Sequence, residues 1–349
     1  MRALTFAAFL RIAPLALSGA LACGYQAERD ERTNRTVANE FASQTAAGVR
    51  ASAAEDVAMG ISSSGARFVR NLIGFQGPES AKYDPEQDVF FITNQTGPGS
   101  EHDGNGYISK VSAAHPDSAS IFVESGKGGA VLDSPKGTAL HGDTLWVCDI
   151  DVMRAFDRHT GAPLATVDFK AQGAIQLNDV AVAPDGTLHI TDTGIIMSRR
   201  GVVYKGPSRV FVMGSGRQIS AIAASPQIAW PNGITWDSAG KRWIIVSFDA
   251  FVGRVYAVSP AGDSAKVLRA GLGRLDGVEM LPGGRILFAS WADSSIHLLE
   301  GTSDRKILRE VPEPADIGID TKRHHLAVPL ATLGRVQLWD ISSLDSLRR

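Results

Sequence analysis

Short apolar runs that alternate with polar residues recur along this chain, and six of them share one arrangement. They occupy residues 78–84, 135–140, 177–182, 231–237, 275–280 and 315–320. Each passes through a polar turn into a second apolar run. Asp185-Gly186 leads into Thr187-Leu188-His189-Ile190, and Gly283-Gly284 leads into Arg285-Ile286-Leu287-Phe288. A period-2 alternation bounded by Asp-Gly, Gly-Gly and Pro-Ala-Gly-Asp turns predicts strands and hairpins, not helices. Further hairpins follow each copy, with 152–156 expected to pair with 165–169 and 254–258 with 265–268. Copies are spaced by roughly 40 to 57 residues, the period of propeller blades. Four strands per period and six periods predict an all-β fold, a six-bladed β-propeller.

The sixth period ends about one strand short. Just ahead of the first copy, residues 67–73 form a spare strand. It is expected to complete the last blade from outside and close the ring. A seventh blade would need another copy, which the chain lacks.

The first 65 residues do not fit the pattern. Arg2 and Arg11 precede a short apolar stretch, residues 12–22, that ends in Ala20-Leu21-Ala22-Cys23. It is too short to span a bilayer and reads as a signal peptide of lipoprotein type over residues 1–22. Cys23 would then be the lipid-modified first residue, although Ala20 stands where the lipoprotein box prefers Leu. The protein is expected to be exported, as a periplasmic or cell-surface lipoprotein touching the membrane only through Cys23, or else as a secreted soluble protein. Residues 23–65 are rich in Ala, Ser, Thr, Glu and Arg and are expected to be a flexible tether, the other option being a helical cap. The propeller is expected over 66–349.

Composition narrows the partners. Lys plus Arg number 35 against 37 for Asp plus Glu, so nucleic acid is not an expected partner. No exposed apolar stripe argues against a monomer. Cys148, in the run Leu145-Trp146-Val147-Cys148, is expected to be a small core residue. The six tryptophans are spread over the blades as core residues would be.

The innermost strand of each propeller blade lines the axis, so its first residues meet around one mouth of the channel. Here those residues are Glu79, Lys136, Asn178, Asn232, Asp276 and Asp316. One Asn-Gly or Asp-Gly is usually only a turn. Five oxygen donors in register across a repeat predict a ring for a hard divalent cation: calcium first, with magnesium, manganese or zinc as the other options.

On these residues the chain from about 67 to 340 resembles the gluconolactonase, regucalcin and luciferin-regenerating-enzyme family, with paraoxonases as distant relatives. The resemblance implies metal ligands at Glu79, Asn178, Asn232 and Asp276, and metal-dependent hydrolysis of a small lactone or related ester at the axial mouth. It makes Asp276 a base as well as a ligand, although coordination weakens a carboxylate as a base. Two positions depart from the family. Gln176 replaces the Arg that sugar-lactone members use to bind substrate. Lys136 replaces the paraoxonase His. Lys136 is therefore expected to bind a carboxylate or the developing oxyanion, or else to pair with Asp316 or Glu79. Gln176 and Asp316 join it as expected substrate contacts. Asp179 is expected to orient Asn178 or to bond a neighbouring backbone. His102, in a Gly-rich stretch, is expected on a surface loop. Residues 195–201 are expected to form a loop that is part of a lid, with Arg199 and Arg200 attracting anions. His324 and His325 are expected away from the ring. The rival reading is a non-catalytic propeller with a structural ion and a face that binds a ligand, peptide or glycan. A strictosidine-synthase-like condensing enzyme is disfavoured, because such relatives lack the ligand set.

Overall fold

The computed structural model describes residues 65–345. The signal peptide, Cys23 and nearly all of the tether lie outside the described residues. Six four-stranded antiparallel sheets follow one another around an axis. The inner strands of the first five are Pro78–Asp84, Pro135–His141, Leu177–Val182, Pro231–Asp237 and Leu275–Leu281. The sixth blade has only a three-residue inner strand, Gly318–Asp320, so Asp316 precedes it and forms an isolated bridge with Ser80. Arg67–Ile73 pairs with Arg335–Asp340 as the outermost strand of that blade, which closes the ring as the sequence predicts.

Both faces of every sheet are covered by a neighbouring blade. This explains why the strands are nearly continuously apolar. Trp243 and Ile245 pack toward the third blade, whereas Ile244 and Val246 pack toward the fifth. Likewise Ile286 and Phe288 face the fourth blade, and Leu287 and Ala289 the sixth. Each of the six blade interfaces has one apolar cluster. Cys148 is wholly buried in the cluster between blades two and three, with Met153 Sδ at 3.5 Å.

The inner strands share an irregularity that alternation does not reveal. In each of the first five blades the register with the second strand slips by one after the first residue. Pro78 faces Asn94 but Ala81 faces Ile92; Leu275 faces Ser290 but Val278 faces Phe288. The same slip occurs at 135/138, 177/180 and 231/234. Two residues thus oppose one, which is a β-bulge. Its first residue is Glu79, Lys136, Asn178, Asn232 or Asp276. A bulge turns a side chain out of the ordinary alternation, and here it does so five times at one level of the axis.

Candidate metal centre and cavity

In blades two and three the entry to the bulge is anchored by the strand beside it. The Asp149 carboxylate accepts the Ser134 amide at 2.7 Å, and Asp192 accepts the Gln176 amide at 2.8 Å. Neighbouring inner strands approach very closely. A Cβ on Gly277 would lie 2.4 Å from the Ile317 amide nitrogen, and one on Gly233 would lie 2.4 Å from the Asp276 carbonyl oxygen. The glycine after the site residue is therefore required by the next blade's backbone, and these Asn-Gly and Asp-Gly pairs are bulges, not turns.

Glu79, Lys136, Asn178, Asn232 and Asp276 all line one cavity of about 740 Å³ at the axial mouth. On the ring residues, four buried oxygens that face it have no hydrogen-bond partner: Glu79 Oε2, Asn178 Oδ1, Asn232 Oδ1 and Asp276 Oδ1. Buried oxygens are normally paired. Single unpaired atoms occur elsewhere, as at Thr138 and Trp243, but among the described residues only this cavity gathers four oxygens from four blades. Only two of the four are carboxylates; no cluster of three or more His, Cys, Asp or Glu side chains placed to hold a metal occurs among the described residues. The set of two carboxylates and two carboxamides fits a hard cation such as calcium, not a zinc-type site.

The electrostatics agree with that fit. Burial pushes the Glu79 carboxyl well above the ordinary carboxylate range. The Lys136 charge opposes this, while Asp276, Asp316 and Asp179 reinforce it. Burial and then Asp316 push Asp276 up to about 8, against Lys136 and the Trp291 indole. Burial lowers Lys136, against the attraction of Glu79, Asp149 and Asp276. One ammonium does not neutralise this many buried acids, so added positive charge would restore the ionised forms.

The other expected site residues are placed differently. Lys136 Nζ donates to Ser134 Oγ at 3.3 Å and not to Asp316 or Glu79. Asp316 does not line the cavity; it accepts from Ser80 Oγ at 2.6 Å. Gln176 is wholly buried behind the cavity wall, where its Oε1 accepts from Ser100 Oγ. Neither residue lines the cavity. Asp179 accepts the amides of Val180 at 2.7 Å and Ile234 at 2.8 Å, so it joins blades three and four. Within one bulge, Asn178 has an unpaired oxygen and Asp179 a paired one.

Residues 195–201 do not form a simple loop. Ile195–Ser198 pairs with Gly201–Tyr204 in a two-stranded hairpin whose turn brings Arg199 and Arg200 to the cavity. The hairpin is pinned by an apolar group with Phe248 and Trp291, and Tyr204 packs edge-on against Trp230 at 4.7 Å. Two of the six tryptophans therefore support the mouth, and Trp291 lines it. His102 is tied to Asp133 at 3.0 Å and leaves Gly97, Pro98 and Gly99 to face the cavity. His325 lies within the second strand of the sixth blade, and neither it nor His324 lines the cavity.

Reading the sequence missed Glu313. It lines the cavity, is 5% exposed, and neither of its carboxylate oxygens has a hydrogen-bond partner. The available signal was its place between Pro312 and Pro314, immediately ahead of the sixth copy.

A second buried polar group lies on the outer half of the fifth blade and resembles a nucleophilic triad. His297 Nε2 is 2.8 Å from Ser295 Oγ, and Nδ1 is 2.7 Å from Asp304 Oδ1. Yet Ser295 donates to Asp293 at 2.5 Å and has no exposed surface. His297 also meets Asp293 at 3.1 Å, and hydrogen bonds to both carboxylates raise its pKa although burial opposes them. A histidine with a carboxylate at each ring nitrogen has neither nitrogen free to take the serine proton.

Comparison with known proteins bears on the family and the fold. The family model described as the SMP-30/gluconolactonase/LRE-like region matches residues 85–319. No match was found among curated proteins. Among solved structures, a gluconolactonase from Xanthomonas campestris superposes with a TM-score of 0.58 at 13% identity, covering 81% of this chain and 96% of its own. A luciferin-regenerating enzyme gives 0.56 at 13%, covering 77% and 92%. A chain of a nidogen/laminin complex gives 0.51 at 17%, covering 66% and 80%. At these identities the structures speak for the fold alone. The family model covers well over half of the chain, and with it this protein belongs to the SMP-30/gluconolactonase/LRE-like family.

Proposed function

We propose that the protein hydrolyses a lactone or related ester in the axial cavity, using a divalent cation held by Glu79, Asn178, Asn232 and Asp276, with calcium the best fit. One observation carries the reading: four unpartnered buried oxygens from four blades face a single open cavity. Bound there, the cation supplies Lewis acidity toward a carbonyl oxygen and the oxyanion it becomes.

The chain's own residues do the rest. Ile195, Met197, Phe248 and Trp291 form an apolar wall suited to the hydrocarbon part of the substrate. Lys136 places a second positive charge at the cavity, suited to a carboxylate or a developing oxyanion. Trp291 donates its Nε1–H to the Pro314 carbonyl at 3.1 Å, and its indole favours the ionised form of Asp276. The hairpin at 195–204 narrows the mouth, and Arg199 and Arg200 there suit an anionic substrate.

The rival reading, a structural ion beneath a purely binding face, calls for an ion closed over by protein. The cavity directly on the four oxygens favours catalysis instead. The test is turnover by the purified protein of γ-butyrolactone, δ-valerolactone, gluconolactone and phenyl acetate, with chelator and with calcium restored. Activity lost to chelator and regained with calcium is expected. No turnover alongside a chelator-sensitive melting temperature would support the structural-ion reading.

A further inference from the structure

The four oxygens that suit a cation leave the cavity without a free base, because a coordinated carboxylate binds protons weakly. Glu313 is a carboxylate outside that set. Its segment is held from several sides. The Val311 amide donates to the Ser294 carbonyl at 2.9 Å, Trp291 Nε1 donates to the Pro314 carbonyl at 3.1 Å, and the Ala315 amide donates to the Pro329 carbonyl at 3.0 Å. Glu313 itself sits at φ 46°, in the left-handed region that non-glycine residues rarely occupy, between two prolines. Such strain costs about 1–3 kcal/mol and concentrates at functional sites.

The side chain turns inward from this pinned backbone. It lines the cavity wall with Thr332 and Trp291, and neither oxygen has a hydrogen bond of normal geometry, although the Thr332 hydroxyl is near enough to act on it. A structural carboxylate would be paired, as Asp179 and Asp192 are. Trp291 ties the Glu313 segment to the ring, with its Nε1–H on the Pro314 carbonyl and its indole acting on Asp276.

We infer that Glu313 is the general base of the hydrolysis. This rests on the hydrolase reading above. Its carboxylate takes one proton from a water molecule as the water oxygen bonds to the lactone carbonyl carbon. Collapse of the tetrahedral adduct breaks the ring C–O bond, and Glu313 returns that proton to the leaving alkoxide. One water and one lactone give one hydroxy acid, and the carboxylate is restored. Burial raises the Glu313 carboxyl, partly offset by the Thr332 hydroxyl and the Arg274 charge, the direction that strengthens a carboxylate as a base.

The experiment uses whichever of the four substrates the wild type turns over fastest. Glu313→Gln keeps the shape and removes the base. Its kcat should fall roughly 10²- to 10⁴-fold, with KM within about twofold, as removal of a general base requires. Its calcium-dependent rise in melting temperature should match that of the wild type, because Glu313 is not a ligand. Formate should restore part of the lost kcat to Glu313→Ala, a response that a merely structural carboxylate would not give. A Glu313→Gln enzyme within about threefold of wild type overturns the inference while the hydrolase reading stands. So does loss of the calcium response, and so does a fall in kcat/KM carried by KM without formate rescue. A wild type that turns over none of the four substrates overturns the hydrolase reading and this inference together.

Discussion

Blade five holds two buried polar groups of opposite character. At its outer end His297 meets Ser295, Asp293 and Asp304, while Lys306 pairs with Asp293 at 2.8 Å and Arg269 with Asp304. At its inner end Asp276 turns an unpartnered oxygen into a cavity that also holds the unpartnered oxygens of Glu79, Asn178 and Asn232. The outer group has the distances of a catalytic triad and none of its chemistry, because its histidine meets a carboxylate at each ring nitrogen and its serine is closed off. The inner group has no triad-like pattern and leaves its oxygens free for something to bind. A buried polar atom that lacks a partner costs roughly 1–3 kcal/mol. Where four such atoms share one cavity, the cost points to a missing ligand more directly than any catalytic-looking distance does.

Substitutions at the two ends should separate the roles. Asp276→Ala has the largest expected effect, a loss of about 10³-fold or more in kcat/KM, or about 4 kcal/mol of transition-state stabilisation. It should abolish the calcium-dependent rise in melting temperature. In chelator it should leave the protein as stable as wild type or more so, because a buried and poorly compensated acid is gone. A variant in chelator that is several kcal/mol less stable would make Asp276 structural.

His297→Leu should do the reverse. It leaves Asp293 and Asp304 without their shared cation and should cost about 3 kcal/mol in urea unfolding, with kcat/KM unchanged. The pH dependence has a definite sign. Because His297 is held above its ordinary value, its contribution is complete below about pH 6.5 and is lost as pH rises through the raised value. Asp293 and Asp304 are held low, chiefly by the His297 hydrogen bonds, although burial opposes this. Their contribution is present above about pH 3.9 and is lost as pH falls. The difference between wild type and variant should therefore be greatest between about pH 4 and 6.5. A difference that does not vary with pH would show that the histidine packs without charge.

Gly277→Ala tests the joint next to the inner group. Its Cβ would meet the Ile317 amide nitrogen at 2.4 Å, and separating blades five and six should cost about 2 kcal/mol. Activity should fall less than in Asp276→Ala, since the ligand remains. An unchanged unfolding midpoint would mean that the blades can move apart freely.

Much of this was legible in the chain. The recurrence of the six copies implied the blades, the missing strand implied closure by residues 67–73, and matching positions implied that residues 79, 136, 178, 232 and 276 meet. These follow because blade period and strand alternation are local properties. Asp316 also has a matching position, but its inner strand starts two residues later, at Gly318, and its carboxylate turns to Ser80. Gln176 was expected at the substrate from the family resemblance, yet it lies behind the wall, where Ser100 of another blade bonds it. The apolar content of 195–204 did not reveal a hairpin, whose position depends on Phe248, Trp230 and Trp291.

By itself the sequence determined the strands, their order, the closing pair and the level of the axis at which the oxygen donors sit. Hydrophobic periodicity and turn chemistry act over a few residues and need no knowledge of distant neighbours. Only the tertiary structure decided which polar groups stay unpaired. It paired Asp179 and freed Asn178 within one bulge, closed Ser295 off, and turned Glu313 from a pinned backbone into the cavity. Whether a buried oxygen finds a donor depends on chain segments tens to hundreds of residues away, and that information exists only once the ring has closed.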